Sequence, residues 1–330
     1  SRSTIALGYT VPGILHESSR VRPKVVDALE LKKYGLRREA EPWEISFMGS
    51  DGRAWVAGES SGGLDERTSH AWAEYSAFIA RVRTRLERLL DALPPDPLGP
   101  VWPLMLVALG VRRLGSKDMT ELLRVGPMCV ADWMRDLFED ERLSATVALT
   151  ALTGAFTGPW SPGTAANLLL HACSTHRDVV GGPAALIDAL SASANAQGVT
   201  VRTSARVKRI LVGRGGVEGV ELEGGEQIAA ETVLSTLDPR TTLVDLIGPQ
   251  WLPYRLAHDA SRIRMRGTTA KVDIALSGPL ELDGTPVEAM RTAASLDELE
   301  RAFDPAKYRS LPKRPALDVR VPSMRDSSLA

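Results

Sequence analysis

The sequence predicts an α/β (α+β) chain: a helix-rich body with a sheet of its own, and a second part built on a β-meander. Three observations predict it. Residues 72–175 are dominated by apolar positions at helical spacing, residues 207–229 read as strands joined by tight turns, and the last third returns to strand, helix, strand. A chain of 330 residues has room for two such parts, each with a core.

Residues 1–66 are loop-rich, with turn signals at GYTVPG, GSDGR and SSGG and a short helix over 25–31 behind Pro23. Trp72, Tyr75, Ile79, Val82, Leu86, Leu89 and Leu93 then alternate at spacings of three and four, so they share one helix face. Arg81, Arg83, Arg85 and Arg88 lie largely off it, as a solvated basic side. WPLMLVALGV (102–111) is about half the length a bilayer span requires. It reads as a buried segment, with a segment lying on a membrane surface as the alternative.

MTELL, VADWMRDLF, DERLSATVALTALTGAF and GTAANLLLHAC are four further helices, broken by the loop TGPWSPGT (157–164). The texture changes at Gly181. Pro183 suits a first helical position, Leu186, Ile187, Leu190 and Ala194 form an apolar stripe, and Gly198 offers a left-handed stop. VTVRT (199–203), ARVKRILV, VEGVEL and QIAAETVLST read as strands. Asp238 and Pro239 form an N-cap and first-turn pair that launches RTTLVDLIG. A helix near YRLAHDASRI, a strand GTTAKVDIAL, a helix with a capping box at Ser295 and Glu298, and a strand ALDVRV complete the chain.

Forty basic and 41 acidic residues leave no nucleic-acid footprint. Cys129 and Cys173 are far apart, without a CxxC, and read as two reduced thiols in a cytosolic setting. His16, His70, His171, His176 and His258 are scattered, and none pairs at the spacing of a helical metal site; each reads as a surface or capping residue. GxSxG, HExxH and P-loop motifs are absent. GRGGVEG lies between two strands, so it is a hairpin turn and no phosphate loop.

Two places carry chemical interest. Strand ETVLST runs into LDP, and small residues beyond a strand's carboxyl end, Ser235 and Thr236, let a ligand approach the backbone. A plain strand-to-helix turn is the alternative. Lys271 sits in an apolar strand, where alternation puts Thr269, Lys271 and Asp273 on one side and Ala270, Val272 and Ile274 on the other. Periodicity alone favours a Lys271 that points outward.

The block GGPAALIDALSASANAQGVTVRTSARVKRILVGRGGVEGVELEGGEQIAAETVLSTLDPRTTLVDLIG resembles a nucleotide-domain segment of the carotenoid (phytoene) desaturase flavoproteins. RVRPKVVDALELKKYGL is similar to the segment after that family's first flavin-binding unit, and residues 119–170 to its helical substrate region. The nearest branch is the phytoene-dehydrogenase-like proteins related to pyridine nucleotide-disulfide oxidoreductase domain-containing protein 2, within the amine-oxidase superfamily.

The resemblance implies an FAD-binding, Rossmann-like part over 179–248, a helical substrate part over 25–178, a substrate-domain sheet over 249–330, and a linker over 1–24. It implies that Val207 passes the adenine, that Ser235, Thr236 and Asp238 lie near the phosphate and ribose of FAD, and that Lys271 turns inward to bridge by water to the reactive flavin nitrogen.

GxGxxG is absent, as is a C-terminal flavin segment, and the chain has no initiator Met; it reads as a fragment cut at both ends, holding FAD weakly or not at all. The expected activity of the full-length form is FAD-dependent removal of hydride equivalents from a small, largely apolar substrate. The alternatives are an amine oxidase, a flavin-dependent isomerase, and a non-enzymatic scaffold for a lipid or protein partner. A cytoplasmic setting is expected, with peripheral membrane contact and oligomeric state left open.

Overall fold

The computed structural model describes residues 3–6, 9–11, 17–49, 52–90, 101–174 and 177–329. The chain has a mixed α/β architecture and divides into two compact units, one of Ser1–Ala196 with Gly267–Ala330 and one of Gln197–Arg266. His16 and His176, like the Leu93 end of the long helical run, lie outside the described residues.

The larger unit opens with a hairpin, β1 (Ser3–Ala6) and β2 (Tyr9–Val11). Helix α1 (Pro23–Ala28) follows with Pro at its start, where a missing N–H costs nothing, and a 3₁₀ turn covers Leu31–Tyr34. Strands β3 (Ile45–Gly49), β4 (Gly52–Ala57) and β5 (Ser60–Gly62) then form an antiparallel meander. This overturns the loop-rich reading of residues 1–66. The short strands hide among turn signals, and Phe47, Ala54 and Val56 become core only because helices cover that face.

Helices α2 (Glu66–Leu90), α3 (Val101–Arg112), α4 (Ser116–Val125), α5 (Val130–Leu137), α6 (Glu141–Leu152) and α7 (Thr164–Ser174) follow. Trp72, Tyr75 and Val82 of α2 are buried as their spacing predicts, with Ile79 and Leu86 packed beside them. Tyr75 meets Trp133 edge-on at 5.7 Å and Phe138 at 5.8 Å. Loop 157–164 docks on α5, where Thr164 Oγ1 accepts from Val130 N at 2.8 Å and the Pro159 carbonyl accepts from Ala131 N. Where side chains are described, the buried reading of residues 102–111 fails at positions 102, 105, 108 and 109. Trp102, Met105 and Leu109 on α3 are 64%, 65% and 44% exposed.

Helix α8 (Gly182–Ala196) ends at Gly198, whose φ of +76° is the left-handed conformation that stops a helix. Its Ala185, Leu186, Ala189 and Leu190 pack on Val26, Leu31 and Leu36, so the helix folds back on the start of the chain. Ile187, expected in that stripe, is exposed.

In the smaller unit, β6 (Val207–Gly213) and β7 (Gly216–Leu222) form a hairpin around Arg214 and Gly215, and β8 (Gln227–Ala229) adds a third antiparallel strand. The hairpin reading of GRGGVEG is correct. Asp238 Oδ1 accepts from Thr241 N at 2.9 Å and caps a π-helical segment over Thr241–Ile247, and α9 (Tyr254–Ser261) follows. The smaller unit begins at Gln197, so α8 belongs to the larger one.

Residues 199–203 and 231–236, expected as strands, are irregular and have no ladder partners; Val199, Val201 and Leu234 are exposed. Pattern supplies one strand, but a sheet needs a neighbour for its backbone groups.

Back in the larger unit, residues 268–276 are likewise unpaired, against the strand reading. Strands β9 (Glu281–Leu282) and β10 (Thr285–Pro286) make a small hairpin, and β11 (Ala289–Arg291) runs parallel to β3. Helix α10 (Leu296–Lys307) is capped as expected: Ser295 Oγ accepts from Glu298 N at 3.1 Å, and Glu298 Oε2 reaches back to Ala294 N. Strand β12 (Asp318–Arg320) completes a five-stranded sheet of order β12-β11-β3-β4-β5.

Two long-range polar ties lie in this unit. Arg291 is buried, donating to the Thr146 carbonyl at 2.6 Å and to Thr150 Oγ1 at 2.7 Å, and pairing with Asp318 at 3.1 Å. Arg20 donates to His171 Nδ1 at 2.8 Å; since a guanidinium only donates, that nitrogen keeps its lone pair and the imidazole is neutral. His171 is thus half-buried and fixed, and is no freely solvated surface residue. Burial first, and the Arg20 charge second, hold its pKa down to about 4.

Replacing Arg291 by Met (R291M) removes the nearer of Asp318's two arginines, leaving Arg320 at 3.6 Å, and takes a buried donor from the Thr146 carbonyl and from Thr150 Oγ1. A loss of about 3 kcal/mol is expected in urea unfolding. Between pH 6.5 and pH 4 the unfolded chain binds a proton at residue 171 that the folded chain refuses. Stability therefore falls as pH drops through that window, by on the order of 3 kcal/mol, and H171Q is expected to flatten the slope there.

Candidate functional site

In the smaller unit the meander is held by charge. Arg209, then Lys208, keep the Glu221 carboxyl below its usual range; the Arg209 contact is 2.6 Å and the Lys208 contact 3.2 Å. Beside it β6 and the π-helical segment enclose an open cleft of about 270 Å³, lined by Arg209, Ile210, Val212, Asp245, Ile247 and Trp251 among others.

None of the four residues expected to border FAD lines that cleft. Val207 opens β6 opposite Leu222 and is half-buried. Ser235 Oγ lies 2.7 Å from Thr242 Oγ1 and accepts from Leu237 N. Asp238 is engaged as the cap, and hydrogen bonds from Thr241 hold its carboxyl below the usual range. Thr236 is exposed.

Ser235 and Asp238 thus meet on one capped turn, with their oxygens spent on that turn, while Val207 and Thr236 take no part in it. A cleft of this size lies just below the ~300–1,000 Å³ of ordinary ligand pockets.

In the larger unit Lys271 has the reverse of the orientation that alternation alone favours. Its Nζ lies 2.8 Å from Asp273 Oδ1, and the two side chains are 21% and 27% exposed, against 76% for Val272 and 73% for Ile274. The polar side is fastened to the end of α6. Thr269 Oγ1 accepts from Gly154 N at 2.9 Å, and Thr268 donates to the Ala155 carbonyl at 2.8 Å. An ordinary half-buried strand puts its apolar side inward; this segment puts it in water.

Cys129 and Cys173 are buried free thiols, and burial pushes both pKa values up, Cys173 to about 11. Neither is a nucleophile in waiting. Among the described residues no cluster of His, Cys, Asp and Glu is placed to hold a metal, and no helix is long and apolar enough to cross a membrane.

Sequence reasoning missed the ionic lattice around Trp43, where Arg320 and Arg325 lie over the ring at 5.2 and 5.0 Å and the indole donates to Asp178 at 2.6 Å. The other three stand 135 to 282 residues from Trp43, and no local pattern joins them to it.

Residues 108–316 match the family described as flavin containing amine oxidoreductase. Over 360 aligned positions the chain is 27% identical to pyridine nucleotide-disulfide oxidoreductase domain-containing protein 2 of Rattus norvegicus, covering 94% of this chain and 61% of that protein. A shorter stretch of 143 residues is 33% identical to hydroxyneurosporene desaturase of Rubrivivax gelatinosus, over 41% of this chain and 26% of that one. Among solved structures, putrescine oxidase bound to putrescine superposes with a TM-score of 0.45 at 16% identity, over 79% of this chain and 54% of that one. The chain thus spans about three-fifths of the rat relative's length. With the match running over more than half of its residues, the chain belongs to the flavin containing amine oxidoreductase family.

Proposed function

We propose that this chain serves an FAD-dependent oxidoreductase of the dehydrogenase or desaturase kind, which takes hydride equivalents from a small, largely apolar substrate. The observation that carries the reading is the family match over residues 108–316. In such enzymes the flavin carries the redox chemistry, while the polypeptide orients the substrate and excludes water. The domain roles follow the same reading: a substrate part in 25–178 and 249–330, and an FAD-facing part in 179–248.

Lys271 is the side chain we assign to the reaction, placing a water or a proton beside the substrate. Its support is geometric. It lies on the inner side of its segment, and Asp273 fixes its ammonium. Oxidation of an amine is the second reading, favoured by the family's own description.

Because Val207, Ser235, Thr236 and Asp238 form no cradle, these 330 residues are expected to purify with far less than one flavin per chain and to quench added FAD fluorescence only at high FAD. One flavin per purified chain overturns the weak-binding reading. In excess FAD without oxygen, a polyene is expected to bleach the flavin faster than an amine; the reverse order decides for amine oxidation. K271M is expected to slow that bleaching about a hundredfold with its melting temperature little changed.

A further inference from the structure

Helix α3 lies in the family's match for only its last turn, and nothing in the redox reading uses its exposed face. Trp102, Met105 and Leu109 stand at spacings of three and four, so they form one stripe, and Arg112 continues it at the next spacing of three. All four are exposed, as are Arg113 and Lys117 just beyond. A tryptophan, a methionine and a leucine side by side in water are a contact surface waiting for cover.

Charge says what covers it. Residues 101–117 contain three bases and no acid, in a chain whose net charge is −1. The first acid after them, Asp118, is buried and already bound by Arg81 at 2.5 Å. Among the described residues Arg112, Arg113 and Lys117 make no ion pair. Among the described residues the face is therefore an apolar stripe with a cationic end that makes no ion pair. An isologous contact of α3 on α3 of a second copy would set this acid-free stretch against itself, cation against cation. A surface of anionic headgroups over acyl chains meets both needs at once: acyl chains take the stripe, headgroups take the cations, and tryptophan favours the boundary between them.

We propose that α3 docks the protein peripherally on an anionic phospholipid bilayer, lying in the plane of the interface. Twelve residues of helix reach about 18 Å, short of the ~30 Å hydrocarbon core, so the helix rests on the bilayer and does not cross it. The inference holds whether or not the redox reading does.

The test is cosedimentation of the 330-residue chain with vesicles of phosphatidylcholine mixed with phosphatidylglycerol, against phosphatidylcholine alone. Binding on the order of a hundredfold stronger to the anionic vesicles is expected, falling as salt is raised. W102S/L109S is expected to lose binding to both vesicles. The triple variant R112Q/R113Q/K117Q, whose changes are all at exposed side chains, is expected to keep its fold and lose only the preference for phosphatidylglycerol; it decides the matter if the first variant does not fold.

No binding to either vesicle, or equal binding to both, overturns the proposal. So does a lipid-free wild-type dimer that W102S/L109S converts to monomer, which assigns the face to a second copy.

Discussion

The larger unit depends on how closely other elements approach α6. Leu143, Ser144, Ala145, Thr146, Val147, Ala148, Leu149 and Ala151 are all buried, so the helix is enclosed on nearly every side. Most of these side chains are small, which lets α5, α7, α10 and β3 pack against it at short range. The cost is polar. Ser144 Oγ and Thr146 Oγ1 have no partner, and the Thr146 carbonyl receives a second donor in Arg291. That donor ties the buried helix to β11 and, through Asp318, to β12. One arginine thus couples the helical layer to the sheet edge, and its guanidinium is tolerated inside because three acceptors surround it.

The end of α6 also sets the candidate chemistry. Just past that helix Gly154 N donates to Thr269 Oγ1, and Thr268 Oγ1 donates to the Ala155 carbonyl. Beyond these ties exposure alternates, and Lys271 and Asp273, paired at 2.8 Å, are half-buried. The same alternation sends Val272 and Ile274 into water.

Unpaired irregular segments recur in both units. Residues 199–203, 231–236 and 268–276 have strand composition and exposed apolar side chains, yet none makes a ladder among the described residues. Strand composition expresses a preference for pleated backbone and flat packing. It creates neither the hydrogen-bonding partner nor the covering layer. The same unmet demand appears on α3, where helix formation is satisfied internally but the apolar stripe is not.

What the sequence by itself determined is local. The caps at Ser295 and Asp238, the proline near the start of α8, the stop at Gly198, the hairpin at Arg214 and Gly215, and the inward stripe of α2 were all legible, because each rests on groups within a few residues or on one helical period. The flavoprotein likeness was legible too, from the block over 181–248. Only the tertiary structure decided that residues 45–49, 52–57 and 60–62 form sheet while 199–203 do not, that Trp102 faces water, that His171 is neutral beside Arg20, and that Lys271 is half-buried while Val272 is exposed. Each of those outcomes depends on what stands across from a residue, 100 or more positions away in most cases. A chain's own periodicity says which sides of an element differ; the neighbour it meets says which side is inside.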